Sequence, residues 1–341
     1  MRILVCSPQV PFARGGAEIL AESLTHELRG HGHDADLVTM PFKWYPGAKV
    51  LTHALLWRLA DLTEVDGRAI DLVIGTKFPS YVVKHPNKVV WLVHQFRQAY
   101  ELDGTDLGQF GDSAEDRATR RAIHRLDRVA LGEARRLGAI SQNVADRVKR
   151  HTDLDAEVIL PPPQQLDFRC DSYDDFVLSV NRLDRAKRID LLLEAAAADA
   201  SIHCVIAGDG PDRERLERLA AKRGLNGRAT FAGRVSEAEL ADLYARCRGV
   251  YYAPVDEDYG MVPYEAFMSE KPVVTTRDAG GPLDIVHDGQ TGLVIEPRAD
   301  ELARACRFLL EHEDEARSWG RAGRAIAERV TWDHVIERLL A

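Results

Sequence analysis

Cysteine is scarce and scattered in this 341-residue chain: Cys6, Cys170, Cys204, Cys247 and Cys306 are odd in number and follow none of the spacings of a zinc site or a disulfide framework. They read as small apolar residues in a reducing compartment. Long hydrophobic runs are missing too. No stretch approaches the roughly 20 apolar residues that a membrane-spanning helix needs, and the opening MRILVCSP lacks the charged, apolar and cleavable regions of a signal peptide. A cytoplasmic protein is expected, with peripheral contact at the inner face of a membrane left open. Positive charge is not in excess either. The net charge of −9 argues against nucleic acid as a partner, because that affinity rests on a basic surface. Neither low-complexity tracts nor short internal repeats are visible, which excludes a solenoid.

What is present is the composition of a soluble globular protein, 45% hydrophobic and 29% charged. The length is too great for one ordinary core and suits two domains. Residues 1–165 carry 21 basic and 21 acidic side chains and residues 166–341 carry 24 and 33, so the whole negative excess lies in the second half. RILVC (2–6), a helix over about 17–29 with Leu20, Leu24 and Leu28 on one face, and the strand ADLVTM form a βαβ unit, which implies a parallel sheet. Strands are expected at DLVIG (71–75), KVVWLVH (88–94) and GAISQ (138–142). An Arg-rich helix is expected over 114–137, with Ile123, Leu126, Val129 and Ala130 as its apolar stripe and Asp127 among its solvated charges. Three prolines in ILPPPQQLDF (159–168) mark a boundary. The alternation then restarts with DFVLSV, IDLLLEAAAA, IHCVIAG, DRERLERLAAKRG, ATFAG, EAELADLYARC and GVYYAP. The division expected is 1–165, 166–325 and a final helical segment 326–341.

Four segments carry chemistry. In VDEDYGMVPYEAFMSEKPVV, Glu257 closes a loop and Glu265 lies about two turns into a helix that begins near Gly260. The amides of Gly260, Met261 and Val262 are the donors of its first turn, an anion site. Arg182 and Lys187 flank a strand-to-helix turn, where cations face what a parallel sheet binds at the carboxyl ends of its strands. Gly208, Asp209 and Gly210 form another such turn. Gly15 and Gly16 precede the first helix, but no G-K-[ST] follows, and the G-x-G-x-x-G dinucleotide fingerprint is absent. Asp256 and Asp258 spell D-x-D inside the longer motif, and no metal role is assigned to them.

In order, E-x7-E, NRLDRAKRID (181–190), VIAGDGPD (205–212), FAGRVSEAELADLYARC (231–247) and GGPLDIVHDGQTGLVIEP (280–297) resemble the retaining glycosyltransferases of family 4. The resemblance implies a GT-B fold, two Rossmann-like doubly wound α/β domains facing a deep cleft, with the last helix crossing back to the first domain. It implies transfer of a hexosyl group from a nucleoside-diphosphate sugar (UDP-, GDP- or ADP-linked) to a hydroxyl acceptor, which would be a glycan, a lipid or a small molecule. No cofactor and no metal are implied. Arg182 and Lys187 would hold the diphosphate, Glu265 the ribose and Glu257 the transferred sugar. Gly15 and Gly16 would approach the diphosphate, while Gly208, Asp209, Gly210, Arg234 and Val235 would line the base pocket. His94 would line the pocket of the donor sugar and acceptor, with Arg97 and Tyr100 nearby. Asp284 stands where the family often has glutamate. Two alternatives remain at this point: a GT-B sugar-nucleotide epimerase, and a sugar-nucleotide binding protein without activity.

Overall fold

A computed structural model describes the whole chain except residues 13–14, 106–107 and 164–165. It consists of two compact units, Met1–Pro161 with Thr331–Ala341, and Pro162–Val330.

In the first unit β1 (Arg2–Gln9) has Ile3, Val5 and Cys6 wholly buried, as expected of a central parallel strand covered on both faces. It is followed by α1 (Gly16–Gly30), β2 (Asp34–Pro41), α2 (Lys49–Leu59), the short hairpin β3 (Glu64–Val65) and β4 (Arg68–Ala69), β5 (Leu72–Gly75), β6 (Lys88–Leu92), α3 (Ala114–Gly132), β7 (Arg136–Ala139), α4 (Gln142–Thr152) and β8 (Glu157–Val158). The main sheet runs β2-β1-β5-β6-β7-β8, with every neighbouring pair parallel. The strand order reverses between β1 and β5. The final helix of the chain covers this sheet: Trp332 sets its ring edge-on to that of Trp91 at 6.0 Å, and Arg338 pairs with Glu157.

Helix α3 ends five residues before the expected limit, because Arg136–Ala139 goes into the sheet. Its inward face differs from the expected stripe. Asp127 is wholly buried and Val129 is half exposed, since Tyr81, Gln95 and Tyr100 all reach into the helix to bond that carboxylate.

In the second unit the order is β9 (Val177–Val180), α5 (Ile189–Ala198), β10 (Cys204–Ala207), α6 (Arg213–Lys222), β11 (Ala229–Gly233), α7 (Glu237–Arg246), β12 (Gly249–Tyr251), α8 (Met261–Met268), β13 (Val273–Thr276), β14 (Gly292–Ile295), α9 (Ala299–Glu311) and α10 (Glu313–Ala327), and α11 (Trp332–Leu340) is the closing helix of the first unit. The sheet is again six parallel strands, β11-β10-β9-β12-β13-β14, and its order reverses between β9 and β12. Leu178, Ile206, Val250 and Val274 are buried to 0% exposure along its middle. Ligands of such open sheets collect outside the carboxyl ends of the strands where the order reverses. Among the described residues, no helix is long and apolar enough to cross a membrane.

Candidate functional site

The chain leaves β9 through Asn181, Arg182 and Leu183 and tightens into a single 3-10 turn, Arg185–Lys187. Arg188 follows in the left-handed conformation (φ 51°) and is clamped there: both guanidinium nitrogens bond Asp278, at 2.8 and 2.5 Å, and its carbonyl accepts from the Tyr251 hydroxyl at 2.8 Å. That clamp fixes the turn. Lys187 on the same turn forms an ion pair with Glu257, and its ammonium lies 5.5 Å from the centre of the Tyr252 ring. Arg182 is exposed and forms no ion pair among the described residues.

Glu257 arrives from the other side of the switch point, after β12. Its backbone is stitched to the 279–281 segment, its amide donating to Ala279 at 2.8 Å and its carbonyl accepting from Gly281 at 2.9 Å. Helix α8 starts four residues later, after its N-cap Gly260. Gly260 has φ 87°, and a Cβ there would lie 2.7 Å from the Tyr252 ring, so a side chain is excluded on two counts. No acid occupies the first turn of α8. Its leading amides, those of Met261 and Val262 among them, therefore keep the partial positive charge of a helix start without a side-chain counter-charge.

Glu265 is the fifth residue of α8, so it lies just over one turn in and not two. It is also deeper than a flank position: 6% exposed, with the Tyr244 hydroxyl donating to Oε2 at 2.7 Å. Burial pushes its carboxyl above the usual range, and the bond from Tyr244 only partly opposes that.

The third turn at this edge, Gly208–Gly210 after β10, packs against the first. A Cβ on Gly208 (φ 124°) would fall 1.8 Å from the Asn181 carbonyl and one on Gly210 2.3 Å from that of Leu183. The glycines that suggested room for a base are thus required by the neighbouring backbone in any case. Gly208 also donates to the Gly233 carbonyl at 2.7 Å, which brings exposed Arg234 and half-buried Val235 to the same rim. Asp209 turns its carboxylate onto the following amide, Gly210, at 2.8 Å. Asp284 ends a short 3-10 turn and is half-buried.

The sequence-expected residues of the first unit gather around its own switch point and the end of β6. Gly15 is the N-cap of α1, but its amide donates to Glu18 at 2.9 Å, and Glu18 also pairs with Lys77 from the end of β5. Gly16 opens the helix. His94 lies two residues beyond β6, with Nδ1 2.7 Å from the Gln95 carbonyl; that nitrogen must donate, so Nε2 is the acceptor of the neutral ring. The loop after it is tied down by Asp127, which accepts from Gln95 at 3.0 Å, Tyr100 at 2.7 Å and Tyr81 at 2.8 Å. Burial raises the Asp127 carboxyl to about 6. Tyr100 is accordingly a buried prop, stacked on His124 at 4.4 Å.

Tyr244, Tyr252 and Asp127 are the residues that sequence reasoning missed. A buried tyrosine hydroxyl needs a partner, but which carboxylate it finds is a tertiary matter. Among the described residues no three His, Cys, Asp or Glu side chains converge as an ion would require.

Residues 168–326 match the family described as glycosyl transferases group 1. The human alpha-1,3/1,6-mannosyltransferase ALG2 is 27% identical over 196 residues, covering 52% of this chain and 47% of that protein. A D-inositol 3-phosphate glycosyltransferase of Mycolicibacterium paratuberculosis is 31% identical over 271 residues, covering 73% and 60%. The chain thus spans about half the length of the curated relatives it matches. Among solved structures, a sucrose-phosphate synthase from Thermosynechococcus elongatus superposes with a TM-score of 0.79 at 18% identity over 98% of this chain and 96% of the other. Anabaena HepE, solved with UDP and glucose, gives 0.69 at 18% identity over 100% and 98%. The second unit thus matches this family's sequence, and the chain has the GT-B fold along its length.

Proposed function

We propose that this protein transfers a hexosyl group from a nucleoside-diphosphate sugar to a hydroxyl acceptor, with retention of configuration and without a metal ion. The observation that carries the reading is the convergence of Lys187, Glu257 and the start of α8 where the strand order of the second sheet reverses, with an Arg182 on the same turn that has no acidic partner among the described residues. A departing nucleoside diphosphate gains negative charge, and fixed cations together with helix-start amides stabilise such charge strongly. Arg182 and Lys187 would do the electrostatic work that a divalent cation does elsewhere.

Glu257 and Glu265 would accept hydroxyls of the sugar and of the ribose, and charge-assisted bonds of this type are the stronger ones. Glu265 suits discrimination because it is buried and already anchored through one oxygen by Tyr244. Gly208–Gly210, Arg234 and Val235 would border the base. We assign the acceptor to the first unit, where His94 follows the carboxyl end of β6. With no pair of carboxylates assigned to a double displacement, the leaving phosphate itself would help to take the acceptor proton on the same face.

The relatives support the class: the names of ALG2 and the inositol-phosphate enzyme state glycosyl transfer, and HepE was solved with a uridine nucleotide. The test is a thermal-shift screen of UDP-, GDP- and ADP-glucose, followed by incubation of the stabilising donor with an acceptor panel, anomeric analysis by NMR, and the same assay in EDTA. Selective stabilisation and an α-linked product that forms in EDTA are expected. Donor conversion without acceptor would favour an epimerase, binding without turnover a binding protein, and activity lost in EDTA but restored by Mn²⁺ would sink metal independence.

A further inference from the structure

The second unit holds another concentration of positive charge, at the opposite edge of its sheet. The residues assigned above follow the carboxyl ends of β9, β10, β11 and β12. A cleft of about 500 Å³ opens instead near the amino ends of β9 and β13, lined by Arg169, Tyr173, Glu270, Arg317, Arg321 and Arg324 among others. Arg317, Arg321 and Arg324 are spaced four and three residues apart on α10 and so share one helical face, where like charges repel. Acids answer that repulsion only in part. Arg317 bonds Glu313 at 2.6 Å, Arg324 reaches Glu270 at 3.3 Å and Glu328 at 2.7 Å, and Arg169 bonds Asp171 at 3.0 Å and also pairs with Asp242. Arg321 has no acidic partner among the described residues.

A second observation points the same way. Lys271, directly after Glu270, has a wholly buried side chain and no carboxylate within ion-pair distance among the described residues. Its ammonium meets the Ser172 carbonyl, the Cys170 sulfur at 3.3 Å and the face of Tyr173 at 3.7 Å, and Arg317 lies over the same ring at 4.3 Å. A buried cation without a counter-ion is costly, and an anion in the adjoining cleft would offset the cost. The wall is preformed. A Cβ on Gly320 would fall 1.7 Å from the Glu270 carbonyl and one on Gly323 2.3 Å from Phe267, so α10 is seated directly on α8 and the turn after it. The cleft lining itself holds four arginines and one acid, in a half of the chain with 24 basic against 33 acidic residues.

We propose that this cleft is an anion site, separate from the donor site, that takes a small phosphate-bearing ligand between the α10 arginines and Arg169. Planar guanidinium forks suit phosphate oxygens. Because the diphosphate of a donor would attract the same probe, the test is made on Arg182→Ala/Lys187→Ala protein, titrated calorimetrically with inorganic pyrophosphate. One saturable site is expected, and adding Arg169→Gln with Arg321→Gln should weaken it at least tenfold. Arg321→Glu alone, at an exposed side chain without an ion pair, should do the same and guards against a folding defect in the combined variant. No saturable uptake, or a weakening of less than tenfold in variants that melt like their parent, overturns the proposal. Vesicles of phosphatidylglycerol separate two sources of phosphate. Co-sedimentation lost on the same substitutions assigns a lipid headgroup, and absence of co-sedimentation assigns a soluble molecule.

Discussion

Both sheets are six parallel strands whose order reverses once, beside the first strand of the unit, yet the crevices at the two reversals treat charge differently. In the first unit Lys77 follows β5 and pairs with Glu18, which in turn holds the Gly15 amide at the head of α1. Both side chains are only 11% exposed. The place where a helix start would receive an anion is therefore taken by the protein's own carboxylate, a capping arrangement that stabilises α1. In the second unit Lys187 and Glu257 also pair, but more openly, at 18% and 22% exposure. There α8 has no acid in its first turn, and Arg182 has no acidic partner among the described residues. The lesson is that each parallel sheet supplies a crevice where its order reverses, and side-chain chemistry decides which is neutralised from within and which keeps cations for a ligand.

The sharpest way to break this contrast is to remove each lysine. Lys187→Ala should lower transfer by about 10²–10³-fold, the scale of losing one preorganised electrostatic contact, with the melting temperature little changed. Lys77→Met should leave turnover within about threefold but destabilise the first unit by roughly 2 kcal/mol, less than a fully buried pair would cost because some solvent reaches it. Equal losses of turnover in the two purified variants would erase the distinction.

Next in size is a pH effect confined to the first unit. Asp127 titrates at about 6 when folded, against 3.8 for the ordinary carboxyl. A raised carboxyl binds its proton more tightly in the folded state, so its contribution is most favourable below about pH 4 and is lost as pH rises through 6, by about 3 kcal/mol in all. Asp127→Asn, which mimics the protonated form, should lack this slope. Melting curves of the two proteins between pH 4 and 7 should therefore diverge in favour of the variant as pH rises; a constant difference would contradict the assignment.

A smaller effect tests the buried carboxylate of the second unit. Glu265→Gln keeps an oxygen for the Tyr244 hydroxyl but removes the charge, so the donor KM should rise about 10-fold, the scale of one charge-assisted bond, with the fold retained. Unchanged donor saturation would remove Glu265 from the site. Smallest of all, Gly260→Ala should cost about 1–2 kcal/mol, because φ 87° strains any other residue and the new methyl meets Tyr252. A melting temperature equal to that of the parent would show that this turn relaxes freely.

Much of the frame was legible beforehand because it rests on short-range pattern. The apolar run at 2–6, the helix over Ile189–Ala198 and the strand ATFAG occupy the expected positions. The chain returns to the first unit at Thr331, with the Thr331 hydroxyl capping α11. Less legible were the depths of individual side chains. Asp127 and Val129 are two residues apart on α3, and the helical pattern favours the valine for the core; three polar groups from the neighbouring loops reverse the choice. Gly15 illustrates the same limit, since a glycine pair before a helix does not reveal that Glu18, three residues on, will take its amide.

By itself, then, the sequence determined the alternation of strands and helices, the two-unit division and the order of motifs, because periodicity, proline breaks and glycine turns act over a few residues. Only the tertiary structure decided which polar groups meet: Lys187 with Glu257 across 70 residues, Tyr244 with Glu265, and Lys271 and Arg317 with the Tyr173 ring. Electrostatic pairing depends on distance and burial in three dimensions, and neither quantity is encoded in local spacing.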